Sequence, residues 1–110
     1  MATPDEFFAI DMRVGTVVEA ELFPEARKPS IKLVIDFGPE IGKKRSSAQL
    51  TVHYTPAKLL GRQIVAAVNL GSRRIAGFTS EVLVLGAMPE PTEVVLLALD
   101  KPVADGTRIA

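Results

Sequence analysis

Apolar and polar positions alternate most cleanly over Ile31–Phe37, where Ile31, Leu33, Ile35 and Phe37 share one face and Lys32, Val34 and Asp36 the other. Successive side chains of a strand point to opposite faces, so this period of two predicts a half-buried β-strand. Met12–Leu22 alternates more loosely, setting Val14 and Val18 against Arg13, Glu19 and Glu21. Gly15 inside it marks a bend, of the kind made by a bulge or a close backbone approach. Ile64–Val68 and Val82–Leu85 are apolar runs too short for helices and read as buried strands. Between them lie a turn at Gly71 and Ser72, the pair Arg73-Arg74, a second turn at Gly77 and the polar pair Ser80-Glu81. This connection is the densest run of hydrogen-bonding side chains in the chain, and part of the functional surface is expected here.

Helical signals are few. Thr55-Pro56 supplies a cap residue and a proline at the first helical position, and Gly61 a stop, which predicts a short helix over Pro56–Leu60. Thr3-Pro4-Asp5-Glu6 repeats the pattern with a carboxylate three residues after the cap. A helical turn there brings Phe7, Phe8 and Ile10 forward as an apolar patch, to pack on the domain or on a partner subunit. Gly38–Gly42 reads as a turn, Pro89-Glu90-Pro91 as a break, Val94–Leu97 as a further strand, and Lys101–Gly106 as a turn toward Thr107-Arg108-Ile109. With about six short strands and one short internal helix, the fold class is all-β, a small barrel or sandwich. Residues 1–7 form an N-terminal extension and 8–110 a single domain, long enough for one core.

The formal net charge is zero, but the charge is not evenly spread. Arg27–Arg74 holds ten basic residues against two acidic ones, while both flanking segments are acidic. A neutral chain therefore presents a basic face if its middle third folds to one side. Lys43-Lys44-Arg45 reads as a two-sided basic strand edge of the kind that keeps strands from pairing with other chains.

Cysteine is absent, which excludes disulfides, thiolate metal sites and cysteine nucleophiles. One histidine, His53, cannot build a histidine metal centre and has no partner by spacing, so it reads as a surface or hydrogen-bonded residue. No catalytic carboxylate pair, nucleophile elbow or phosphate loop is present, so no enzyme activity, metal or cofactor is expected. No apolar run reaches the ~20 residues of a membrane span, and Asp5-Glu6 is wrong for a signal peptide, so the expected location is the cytoplasm. The composition is 47% hydrophobic with few aromatics, which leaves aliphatic surface for a homodimer contact through Phe7 and Phe8.

Binding is the remaining class. Arg73 and Arg74, Lys43–Arg45, and Arg27 with Lys28 supply cations for a nucleic-acid backbone. Only Tyr54, Phe78 and Phe23 are placed to stack on bases, and Phe78 reads first as a core plug. Glu81 reads as a hydrogen-bond acceptor at a strand entry or as a partner for one of the two arginines.

Several motifs occur in the order seen in the tRNA-binding-domain family. They are D-M-R-V-G at Asp11–Gly15, F-P-E-A-R at Phe23–Arg27, I-K-L-V-I-D-F-G at Ile31–Gly38, S-S-A-Q at Ser46–Gln49 and R-R-I-A-G-F-T-S-E-V-L-V-L-G at Arg73–Gly86. The chain resembles that family over about residues 8–110, most of all its free-standing, export-related chaperone members. The resemblance implies a five-stranded OB-fold barrel with extra terminal strands. It also implies a homodimer that binds unfolded or precursor polypeptides and works with the export machinery, or alternatively a module that binds tRNA. Asn69, Arg73, Arg74 and Ser80 match the family's RNA-binding motif, with Ser46 and Ser47 as weaker members; no peptide-binding residue can be assigned. The family's modules commonly carry S-G-L near Ser47, where this chain has Ala48 and Gln49.

Overall fold

The apolar face of the alternating run enters the core: Ile31, Leu33, Ile35 and Phe37 are all buried in the computed structural model, which describes residues 1–110. Their strand, β2 (Ile31–Asp36), lies between β1 (Met12–Leu22) and β3 (Lys43–Ala48). β4 (Gln63–Ala67) and β7 (Leu83–Val84) complete an antiparallel sheet of order β3-β2-β1-β4-β7. β1 serves both halves of this sheet, pairing β4 from Met12 to Thr16 and β2 from Thr16 to Leu22. The register shifts between Val17 and Glu19, so the bulge falls at Val18 rather than at Gly15. Gly15 instead marks the close approach. A Cβ there would stand 2.6 Å from Ile35 Cγ2 and 2.7 Å from Phe37 Cδ1, so only glycine lets β2 pack this near.

The helices are α1 (Pro4–Phe8), α2 (Gly38–Ile41) and α3 (Pro56–Leu59). α1 carries the full capping box, with Glu6 N–H donating to Thr3 Oγ1 and Thr3 N–H to Glu6 Oε1. α3, which lies between β3 and β4 in the chain, follows Thr55-Pro56 as expected, packs against β1 and buries Leu59. α2 replaces the expected turn: Gly38 takes φ 86°, its N–H is held by Asp36 Oδ1, and Pro39 opens the helical turn. β8 (Gly86–Glu90) and β9 (Glu93–Leu96) form a separate hairpin. Pro89 therefore lies within a strand, at a register shift between Ala87 and Glu90 where no ladder N–H is needed.

The C-terminal tail returns to the start of β1, with Gly106 N–H donating to Val14 O, Val14 N–H to Thr107 O, and Ile109 N–H to Met12 O. Arg108 donates to Phe8 O, so the tail also holds the end of α1. Phe7 and Phe8 stack edge to face at 5.2 Å yet remain exposed; within one chain the barrel does not cover them. No helix is long and apolar enough to cross a membrane.

Candidate functional site

Beyond the five-stranded sheet, β5 (Arg73–Ile75) and β6 (Phe78–Ser80) form a hairpin closed by Ala76-Gly77. Both turn residues have positive φ, 45° and 82°, the geometry of a type I′ turn. The arginine pair between the two glycine turns therefore sits on a strand, and consecutive strand residues face opposite ways. Arg73 shares its side of β5 with Ile75, and Arg74 lies on the other side, donating to Thr79 Oγ1 at 3.4 Å. Both arginines are exposed and neither is ion-paired.

The serines of the motif close the barrel. Ser46, fully buried, donates to Val82 O at 2.9 Å, and Ser80 Oγ accepts Ser47 N–H at 3.1 Å. Glu81 accepts Arg45 N–H at 3.0 Å and lies 3.6 Å from its guanidinium, while Glu81 N–H donates to Arg45 O. Glu81 thus pairs with Arg45 on β3, not with Arg73 or Arg74. Asn69 is spent at the other end of the motif: its Oδ1 accepts Asp11 N–H and its Nδ2 donates to Ala9 O, both at 2.8 Å. Of the six motif positions, Asn69, Ser46 and Ser80 bond backbone groups, Arg74 bonds only Thr79, and the Arg73 and Ser47 side chains make no hydrogen bond.

Arg73 and Ser47 meet in one place, a cleft of about 450 Å³ between the β3 end, β5, β7, β8, β9 and the loop before β2, residues 23–30. Its wall includes the aliphatic residues Leu50, Ile75, Leu83, Val84, Met88 and Val94, of which Leu83 and Met88 are more than half exposed. Arg27, Lys28 and Arg73 are its charged residues; no acidic side chain lines it. None of these three cations has an ion-pair partner. Ala48 and Gln49, the positions that depart from the family's S-G-L, line the same cleft. Sequence reasoning marked the cations but missed Leu83 and Met88, because a strand run of apolar residues reads as core until its partners are known.

The aromatic residues lie outside this cleft. Phe23, buried, meets Phe78 edge to face at 5.5 Å, with Lys32 Nζ 4.6 Å from the Phe23 ring and Arg45 5.5 Å from Phe78. Phe78 is half-buried, so the core-plug reading holds in part. Tyr54 is committed through its hydroxyl, which accepts Leu96 N–H, and the neighbouring His53 bonds Glu93 at the start of β9.

At the barrel end near α1, Asp11 receives Arg13 Nε at 2.7 Å, with Arg108 Nε 3.9 Å away. The Arg13 hydrogen bond holds the Asp11 carboxyl below its ordinary value of 3.8 and raises Arg13 in turn.

Residues 12–108 match the family model described as "Putative tRNA binding domain". The methionine–tRNA ligase of Methanococcus aeolicus is 37% identical over 105 residues, and that of Thermotoga maritima 34% over 108. The chain spans only about 15% of the length of such relatives. Among solved structures, chaperone CsaA from Bacillus anthracis superposes with TM-score 0.95 at 54% identity, covering all of this chain and 99% of that one. CsaA from Picrophilus torridus gives 0.91 at 45%, with both chains covered in full. The nearly closed five-stranded barrel is the OB-fold of these neighbours.

Proposed function

The chain belongs to the tRNA-binding-domain family, and from that premise we propose that it acts as a CsaA-type chaperone, holding unfolded or export-bound polypeptides in the cleft beside β5. The observation that carries this reading is the exposed aliphatic wall. Leu83 and Met88 stand in water inside a concavity of the size that binds ligands. Methionine, unbranched and polarizable, adapts to varied apolar partners, as a surface for many polypeptides requires. Full-length likeness to two chaperones supports the same reading. A second copy is the expected cover for Phe7 and Phe8, giving a homodimer in the cytoplasm that passes its clients to the export machinery. The matched model describes a binding domain, not a catalytic one.

The test is suppression of aggregation. A chemically unfolded client diluted into buffer should stay soluble with the wild-type protein and precipitate with Leu83→Asp/Met88→Asp, whose exposed positions leave the barrel intact. Equal protection by both proteins would remove the cleft from this role.

A second reading is tRNA binding through the basic middle third. Arg74 favours it, being exposed and unpaired on the side of the hairpin that the cleft does not use. Likeness to segments of methionine–tRNA ligases supports it as well. Tight tRNA binding that weakens steeply with salt, without protection of any client, would reverse the order of the two readings.

A further inference from the structure

We infer that the cleft selects its polypeptides by charge, taking extended segments in which an aliphatic residue is flanked by aspartate or glutamate. The inference rests on the chaperone reading and narrows it to a substrate class. The cleft combines two features seldom found together. One is a wall of aliphatic side chains, including Ile75, Leu83, Met88 and Val94. The other is a positive charge that nothing within the chain offsets: Arg27 and Lys28 come from one loop, Arg73 from β5, and no carboxylate lines the cleft. Arg13, Lys32, Arg45 and Arg108 are ion-paired, and six cations outside the cleft also lack a partner, so what marks the cleft is three unpaired cations on one apolar wall with no carboxylate. Cations left unpaired around an apolar surface favour a ligand that is apolar in the middle and anionic at its edges.

Single-stranded nucleic acid is anionic too, but it is held by flat π-faces on which its bases stack. This cleft has no aromatic residue, and the two nearest candidates, Phe23 and Phe78, pack against each other elsewhere. Aliphatic side chains fill an aliphatic wall well, and carboxylates meet arginine in a paired, planar geometry. Arg73 and Ile75 lie on the same side of β5, so one strand presents a cation beside an apolar contact, the spacing that an extended peptide repeats.

Labelled twelve-residue peptides and fluorescence anisotropy provide the test. One peptide carries Leu-Ile flanked by glutamates, a second the same pair flanked by lysines, and a third has serines in place of Leu-Ile between glutamates. Wild type should bind the first about tenfold more tightly than the second, the combined effect of three part-exposed charge pairs. It should bind the third weakly, and raised salt should narrow the preference. Lys28→Glu/Arg73→Glu should invert the order, and Met88→Asp should weaken the first peptide. If the reversal lowers the melting temperature, Lys28→Gln/Arg73→Gln carries the same comparison and should abolish the preference.

Equal binding of the first two peptides, lost on Met88→Asp, would overturn the charge selection and leave the chaperone reading standing. Equal binding of the first and third would overturn the role of the aliphatic wall. Binding of none of the peptides, with no client protection, would remove both the inference and the reading beneath it. Displacement of the first peptide by an unlabelled oligouridylate that itself loses affinity on Met88→Asp would assign the cleft to nucleic acid.

Discussion

Ser80 Oγ accepts the backbone N–H of Ser47, so a side chain supplies what a neighbouring strand's carbonyl supplies elsewhere in the barrel. Glu81 does the same for Arg45 N–H one step along β3. The barrel seam is therefore closed by side chains together with the Glu81-to-Arg45 backbone bond.

Ser80→Ala removes that acceptor and leaves a half-buried amide unpaired, which costs about 1–3 kcal/mol. Urea denaturation should show a lower midpoint with an unchanged slope. If Ser80 serves only the seam, tRNA affinity per folded molecule should stay at the wild-type value. A loss of affinity with full stability would return Ser80 to the RNA site.

Arg73 and Arg74 should separate. Arg73→Ala is expected to weaken peptide binding in the cleft, and Arg74→Ala to reduce the salt slope of tRNA binding by roughly one unit. Both proteins should melt with wild type, since neither arginine is ion-paired. Titrations of each single mutant with both ligands decide the matter. Identical effects of the two substitutions would show that the two sides of the hairpin act together.

Acid should loosen the junction between α1 and the tail. The folded Asp11 carboxyl titrates below 3.8 because Arg13 bonds it, so its stabilisation is complete above the unfolded value and fades as pH falls through the lower folded one. The stability gap between wild type and Asp11→Asn should be constant above about pH 5 and close below pH 4. Thermal melts across that range would detect it, and a gap independent of pH would discard the linkage.

Ala76 occupies a left-handed conformation that asparagine adopts more readily. Ala76→Asn should stabilise the hairpin by about 1 kcal/mol, a rise of roughly 4 °C in Tm. An unchanged or lower Tm would mean the turn relaxes in solution.

Phe7 and Phe8 offer the assembly test. Sedimentation equilibrium at micromolar concentration should give twice the 11.8 kDa chain mass, and Phe7→Ser/Phe8→Ser the mass of one chain. A wild-type monomer would leave the aromatic pair without its expected cover.

Local chemistry was readable from the sequence, and long-range pairing was not. The alternation of Ile31–Phe37 named four core residues, and Thr3 and Thr55 each marked the helix that follows. The type I′ hairpin was visible only as a glycine turn, because alanine at its first position hides the pattern. The helical turn after Gly38 was obscured by the same glycine that begins it. Glu81 found Arg45, 36 residues away, through the register of β3, which no local pattern encodes. The family resemblance implies an RNA role for Asn69, Ser46 and Ser80, yet their partners are backbone groups brought in by the fold. The cleft needs six segments to meet, so its cations could be counted in advance but its apolar wall could not.

Met12 O receives Ile109 N–H, and Phe8 O receives Arg108, so both ends of the chain leave the barrel side by side. The cleft takes every one of its residues from between Ala26 and Val94. The two ends are thereby fastened to one another across residues 8–14, a stretch that contributes no residue to the cleft.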